Sequence, residues 1–144
     1  MDIHIRRALI KDASGIQKLN AAELGAVYPV GKTRQILTQL LQSEQDRIYV
    51  AEIEGTIVGY VHACNYTLLC SPPIKNIMSI AISKDYQKHG IGKVLLERIE
   101  NWAKETEASI IRIISDGSGI NAYEYYKNLG YEGGKLQMHF TKKL

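Results

Sequence analysis

Cysteine is scarce in this chain of 144 residues; there are two, Cys64 and Cys70. They do not form a Cys-x-x-Cys pair, and no two histidines have zinc-ligand spacing, so the sequence predicts reduced thiols, no disulfide framework and no metal. Long apolar runs are missing too. None approaches the length of a membrane span, and the start, Met1-Asp2 followed by an alternating segment, does not read as a signal peptide. The expectation is a cytoplasmic chain with no membrane contact. An excess of one charge is also lacking. The net charge is +3, and lysine and arginine are scattered apart from Lys142-Lys143. Without a basic stripe interleaved with exposed aromatics, no nucleic-acid partner is expected. What remains is ordinary: 45% apolar and 23% charged residues, with no internal repeat, predict a single domain over 1–144 with a sizeable core.

The most informative stretch runs from Ile77 to Ile99. Ile77-Met78-Ser79-Ile80-Ala81-Ile82 is an Ile-rich run that reads as a strand buried on both faces. A polar loop follows and ends in Gly90 and Gly92. Apolar residues then recur at 91, 94, 95, 99 and 102, which is helical spacing. This order suits an anion. The first turn of a helix has N–H groups without intrahelical partners at the positive end of its dipole. Glycines let a phosphate approach the backbone, while Lys88, His89 and Lys93 add donors and charge. The loop is not a nucleoside-triphosphate P-loop, because Val94 follows Lys93 where a hydroxyl residue is needed. Nor is it the dinucleotide fingerprint, because Leu95 takes the place of the third glycine.

In chain order, Ile3, Ile5 and Arg7 alternate with polar neighbours and predict a first strand. Asp12 reads as the N-cap of a helix that ends near Gly25. Tyr28-Pro29-Val30-Gly31 reads as a turn, and Ile36, Leu37, Leu40 and Leu41 as one face of a second helix. Residues 48–53 and 56–69 form a predicted hairpin around Glu54-Gly55. Ser71-Pro72-Pro73 separates it from the central strand. Residues 110–114 predict another strand, 122–129 a short helix capped by Gly130, and 131–142 one strand or a closing pair. Helices alternating with strands in this way predict a mixed α/β sheet with helices on both faces.

Two motifs carry a resemblance to a known family. Gln87-x-x-Gly90-x-Gly92, following a buried strand, resembles the acetyl-CoA pyrophosphate loop of the GNAT N-acetyltransferase superfamily. Ala122, Tyr126, Leu129 and Gly130, with Tyr125 and Tyr131 in place of phenylalanine, resemble its second signature. The order of elements matches over essentially the whole chain. The resemblance implies a mostly antiparallel twisted sheet of six to seven strands. It also implies an acetyl-CoA-dependent transfer to a primary amine of a small molecule or peptide, by direct attack in a ternary complex. A homodimer is expected by analogy alone.

The resemblance assigns the cofactor to Ile80, Ala81 and Ile82 through their backbones, to Gln87, Lys88, His89, Gly90, Ile91, Gly92 and Lys93 at the diphosphate, and to Asn121 and Tyr126. Asn121 stands two positions from the family's usual asparagine, where Gly119 lies. The amide of Ile80 or of Ala81 is matched to the thioester oxygen. Tyr126 matches the residue that protonates the departing thiolate. A phenol at a pKa of about 10 and a thiol at about 8.5 make that transfer mildly uphill, which suits a hydrogen-bond donor to sulfur. The glutamate that many members carry on the central strand aligns near Met78 and Ser79, and neither is a base at neutral pH. An alkylammonium with a pKa of about 10.4 costs about 4 kcal/mol to deprotonate at neutral pH. His62, Glu23 and Asp116 are candidate bases, and Ser79 is a candidate to position a water. The missing glutamate leaves a second reading, a non-catalytic acyl-CoA sensor or interaction module.

Overall fold

The computed structural model describes residues 2–114 and 120–144. The chain forms two compact units, Met1–Ile113 and Ile114–Leu144. The first is a five-stranded sheet in the order β1 (His4–Arg7), β2 (Asp46–Ile53), β3 (Thr56–Tyr66), β4 (Ile74–Ile82), β5 (Ile110–Ile113). All neighbours are antiparallel except β4 and β5, which run parallel. Helices α1 (Ala13–Leu24) and α2 (Val30–Leu41) pack on one face, where Ile16, Leu19 and Leu37 meet Ile48, Val50, Tyr60 and Ala81. Helix α3 (Ile91–Glu105) packs on β2, β3 and β4. It is long and amphipathic, and it buries Ile91, Leu95, Leu96, Ile99 and Trp102 almost completely. Each such side chain contributes about 1.5–3 kcal/mol by leaving water. Val94, expected in this stripe, lies on its edge and is 37% exposed.

Two irregularities set the register. Ala51 pairs with Gly59 and Glu52 with Ile57, so Val58 is an extra residue in β3. His62 pairs with Ser79 but Ala63 pairs with Ile77, so Met78 bulges out of β4. Gly59 is required by close packing: a Cβ there would lie 2.9 Å from Ile82 Cδ1 and 3.3 Å from Ile91 Cγ2.

Several boundaries differ from the sequence expectation. α2 begins at Val30, because Pro29 fits the N-cap position (φ −61°) and its carbonyl accepts from the Thr33 amide and hydroxyl, which absorbs the expected turn. β3 stops at Tyr66 and β4 starts at Ile74. Asp12 precedes α1, but its carboxylate turns back to accept from the Leu9 amide at 2.8 Å and from Arg6. The expected closing strand is not formed. Residues 131–144 contain no strand, which leaves five strands among the described residues rather than six to seven. Gly133-Gly134 makes an extended run there costly to order, and Leu136, Met138 and Phe140 remain exposed. The second unit contains α4 (Ile120–Asn128), which ends at Gly130 with φ +94°, a conformation glycine adopts freely. No helix among the described residues is long and apolar enough to cross a membrane.

Candidate active site

β4 is longer than the partner it shares with β5. Their pairing ends at Ile77 and Ile113, yet β4 continues to Ile82. The direction of its free groups follows from one bond, donated by the Ser83 amide to Val58 O at 2.8 Å. Successive residues of an antiparallel strand direct their backbone groups to alternate sides. Ser83, Ala81 and Ser79 therefore face β3, and Ile82 and Ile80 face the open side. The Ile80 and Ile82 backbones thus lie on the side that the expected arm would need, and the Ala81 backbone does not. The Ala81 backbone belongs to the β3 ladder, and its side chain belongs to the core beneath α1 and α2. Of the two amides matched to the thioester oxygen, only that of Ile80 is available.

The strand leads into a cradle of amides. Ser83-Lys84-Asp85-Tyr86 forms a 3-10 turn, and Lys88 and Gly90 take left-handed φ values of +67° and +80°. A left-handed lysine costs about 1–3 kcal/mol of strain. Such alternation turns successive N–H groups inward, as an anion requires. The first helical bond of α3 is donated by Val94 to Gly90 O at 3.2 Å. The amides of Ile91, Gly92 and Lys93 precede this ladder and are left for a ligand. Lys88, His89 and Lys93 are exposed beside them. The Gln87 side chain donates to Ile82 O at 3.1 Å and to Glu23 Oε2 at 3.5 Å. Glu23 Oε1 accepts from the Lys84 amide at 3.0 Å. The carboxylate proposed as a base thus serves as a brace for the loop.

On the α1/α2 face lies a groove of about 190 Å³, lined by Ile16, Tyr28, Ile36, Leu37, Leu40 and Ile48, with Asn20, Tyr60, His62 and Ser79 among its polar members. Tyr60 Oη donates to Asn20 Oδ1 and lies 2.9 Å from Ser79 Oγ. A phenol has one proton, so the Ser79 hydroxyl donates the second bond and keeps its lone pairs for the groove. Burial pushes the Tyr60 phenol up, against the two hydrogen bonds, so it stays protonated. His62 Nε2 lies 2.8 Å from Asp46 Oδ1. A larger hollow of about 580 Å³ lies between α1 and the β2–β3 hairpin. It contains none of the expected site residues except Glu23, and its Asp12 and Glu52 carboxylates are already paired with Arg6.

Tyr126 lies on α4, in the second unit, with Tyr125 edge-on at 5.3 Å and Tyr131 at 6.2 Å. Burial, reinforced by Tyr125, pushes its phenol up, which keeps it a donor. Asp116, Gly119 and the side chain of Asn121 lie outside the described residues. Among the described residues no three potential ligands gather around a metal site. Asp46 and Asn20 were not legible as site residues. Each reaches the site only through the pairing of distant segments, and no local motif marks either.

A family model described as "Acetyltransferase (GNAT) family" matches residues 14–131. The chain is 28% identical to an N-alpha-acetyltransferase of Sulfurisphaera tokodaii, over 96% of this chain and 86% of that protein. Its fold matches the aminoglycoside N-acetyltransferase AAC(6')-Iy, solved with the bisubstrate analogue CoA-S-monomethyl-acetylneamine, at a TM-score of 0.86 and 16% identity over the whole of both chains. It also matches glucosamine-6-phosphate N-acetyltransferase from Arabidopsis thaliana at a TM-score of 0.86 and 14% identity, over 99% of this chain and 100% of that one.

Proposed function

The chain belongs to the acetyltransferase (GNAT) family, and from that premise we propose how its residues divide the work of an acetyl-CoA-dependent N-acetyltransferase. The observation that carries the reading is the open edge of β4 leading directly into the amide cradle at 87–93. Ile80 and Ile82 offer main-chain groups to the peptide-like arm of the carrier, in the manner of an added strand. The cradle and its lysines hold the diphosphate. The Ile80 amide meets the thioester oxygen, where a preorganised donor contributes about 3–4 kcal/mol as negative charge develops. Tyr126 donates a hydrogen bond to the departing sulfur, and Ser79 accepts one from the amine or from a water that serves it. The acetyl carbon gains its bond to nitrogen as its bond to sulfur breaks. One proton leaves the amine, and one reaches the thiolate.

The acceptor groove supports a choice among amines. Among the described residues its lining contains no carboxylate, and its rim carries half-exposed Tyr28 and Ile36. A polycation such as an aminoglycoside would find no counter-charge there, so the reading favours an amine next to an apolar group, including a peptide N-terminus. A homodimer and a cytoplasmic setting belong to the same proposal, to be read by light scattering and by cell fractionation.

A thiol-release assay with acetyl-CoA tests it. Phenethylamine and peptides with apolar N-termini are expected to turn over with kcat/KM at least tenfold above kanamycin. The reverse ranking would overturn the acceptor assignment. Gly90→Glu, which puts a charge at the cradle and a side chain at φ +80°, is expected to weaken CoA binding at least tenfold; unchanged binding would relocate the site. Tyr126→Phe is expected to lower kcat about tenfold with CoA binding intact, as a catalyst would and a mere sensor would not.

A further inference from the structure

We propose that Asp46 and His62 form a dyad that takes the proton from the acceptor amine, with His62 as the catalytic base and Asp46 as its positioning residue. The proposal rests on the acetyltransferase reading of the same groove. In the β2–β3 hairpin Asp46 pairs with Cys64 and Ile48 pairs with His62, which makes Asp46 and His62 diagonal neighbours on the α1/α2 face. Their side chains are each 15% exposed and joined at 2.8 Å. His62 donates its Nε2 hydrogen to the carboxylate, which leaves the lone pair on Nδ1. His62 stands directly opposite Ser79, and both line the groove.

Of the other candidate bases, Asp116 lies outside the described residues. Glu23 is bound to the Lys84 amide and Gln87 and lies outside the groove, whose lining offers no carboxylate among the described residues. The groups facing the imidazole are Asp46 from β2, Tyr60 and Cys64 from its own strand, Ser79 from β4, Asn20 from α1, Tyr28 from the α1–α2 link and Thr33 from α2. Of these only Asp46 carries charge at neutral pH. Asp46 is bonded to His62 and is not among the groove-lining residues, so among the described residues an entering ammonium meets the imidazole rather than a free carboxylate, and it sheds a proton to Nδ1. The freed nitrogen pair then attacks the acyl carbon as its bond to sulfur breaks; the nitrogen's second proton leaves as the departing thiolate takes one up, and the imidazolium is held by Asp46 until solvent removes the first.

The test uses the full chain with acetyl-CoA and phenethylamine. His62→Gln is expected to lower kcat/KM about 100-fold, to leave the KM for acetyl-CoA within twofold, and to abolish the acidic limb of the wild-type pH profile. Asp46→Asn is expected to lower kcat about tenfold. Long-range 1H–15N NMR of the wild type is expected to place the imidazole proton on Nε2, and of Asp46→Asn to show a tautomer mixture. The wild-type spectrum needs no variant, so a variant that fails to fold does not decide the matter. A proton on Nδ1, or a folded His62→Gln within threefold of wild type, overturns the dyad alone. A wild type that binds CoA but releases no thiol with phenethylamine or any amine of the panel overturns the acetyltransferase reading, and the dyad with it.

Discussion

Two aspartates sit at the edges of the same sheet face, and each meets a nitrogen base from a neighbouring segment. Asp12 is 3% exposed, and both its oxygens accept from the Arg6 guanidinium, at 2.7 and 2.8 Å, with Glu52 on the other side of the arginine. Asp46 meets His62 through one oxygen, and His62 in turn lines a groove. The difference lies in the partner. Arginine never releases its proton, and here the Asp12 bond pushes its pKa higher still, against burial. That pair is a permanent rivet that ties β1 to the entrance of α1. Histidine exchanges a proton in the range where enzymes work. A carboxylate against arginine shapes the chain, whereas one against histidine beside a groove is equipped for chemistry.

The comparison breaks most sharply at Arg6. Arg6→Met leaves Asp12 buried without its cation, and unfolding by urea is expected to show a loss of about 3–5 kcal/mol, with kcat per folded molecule unchanged. Asp46→Asn is expected to invert this pattern, losing about 1 kcal/mol of stability, the worth of one ordinary hydrogen bond, while activity falls. If Asp46→Asn unfolds the chain as readily as Arg6→Met, the two aspartates do the same job.

The smallest effect concerns acid. Burial pushes the Asp12 carboxyl up, but Arg6 and the Leu9 amide outweigh it and hold the group below its ordinary 3.8. A depressed folded pKa means that its contribution to stability is complete above the unfolded value and is lost as pH falls through the folded one. Stability is therefore expected to drop below about pH 4, and Asp12→Asn, less stable throughout, is expected to show a flatter slope there, as read by thermal melting from pH 5 to 2.

How much of this was legible depends on distance along the chain. The strand, the glycine loop and α3 were readable because their signals are local: β-branched residues, two glycines, then apolar residues four apart. Gly25 and Gly130 marked helix ends for the same reason. Asp12 was readable as a residue near a helix start but not as the partner of Arg6, since a side chain can turn either way at that corner. The Asp46–His62 pair was hidden. Only one of its two members drew attention, because the register that joins them is fixed across a hairpin containing an extra residue, Val58. The tail misled for the opposite reason. Leu136, Met138 and Phe140 alternate as a strand would, but alternation supplies no neighbour to bond with.

Met78 has an effect out of proportion to its own contacts. Because it has no counterpart in β3, Ser79 looks toward α1 and α2 although Ile77, two places earlier, does not share that outlook. Removing this one methionine would not turn Ser79 to Ile82 over, because each keeps its partner in β3; it would join Ile77 directly to Ser79 and flatten the strand into a regular ladder. The surplus residue falls just past Ile77, where the pairing with β5 ends, so one unmatched position marks the point at which the strand parts from its neighbour and bares an edge.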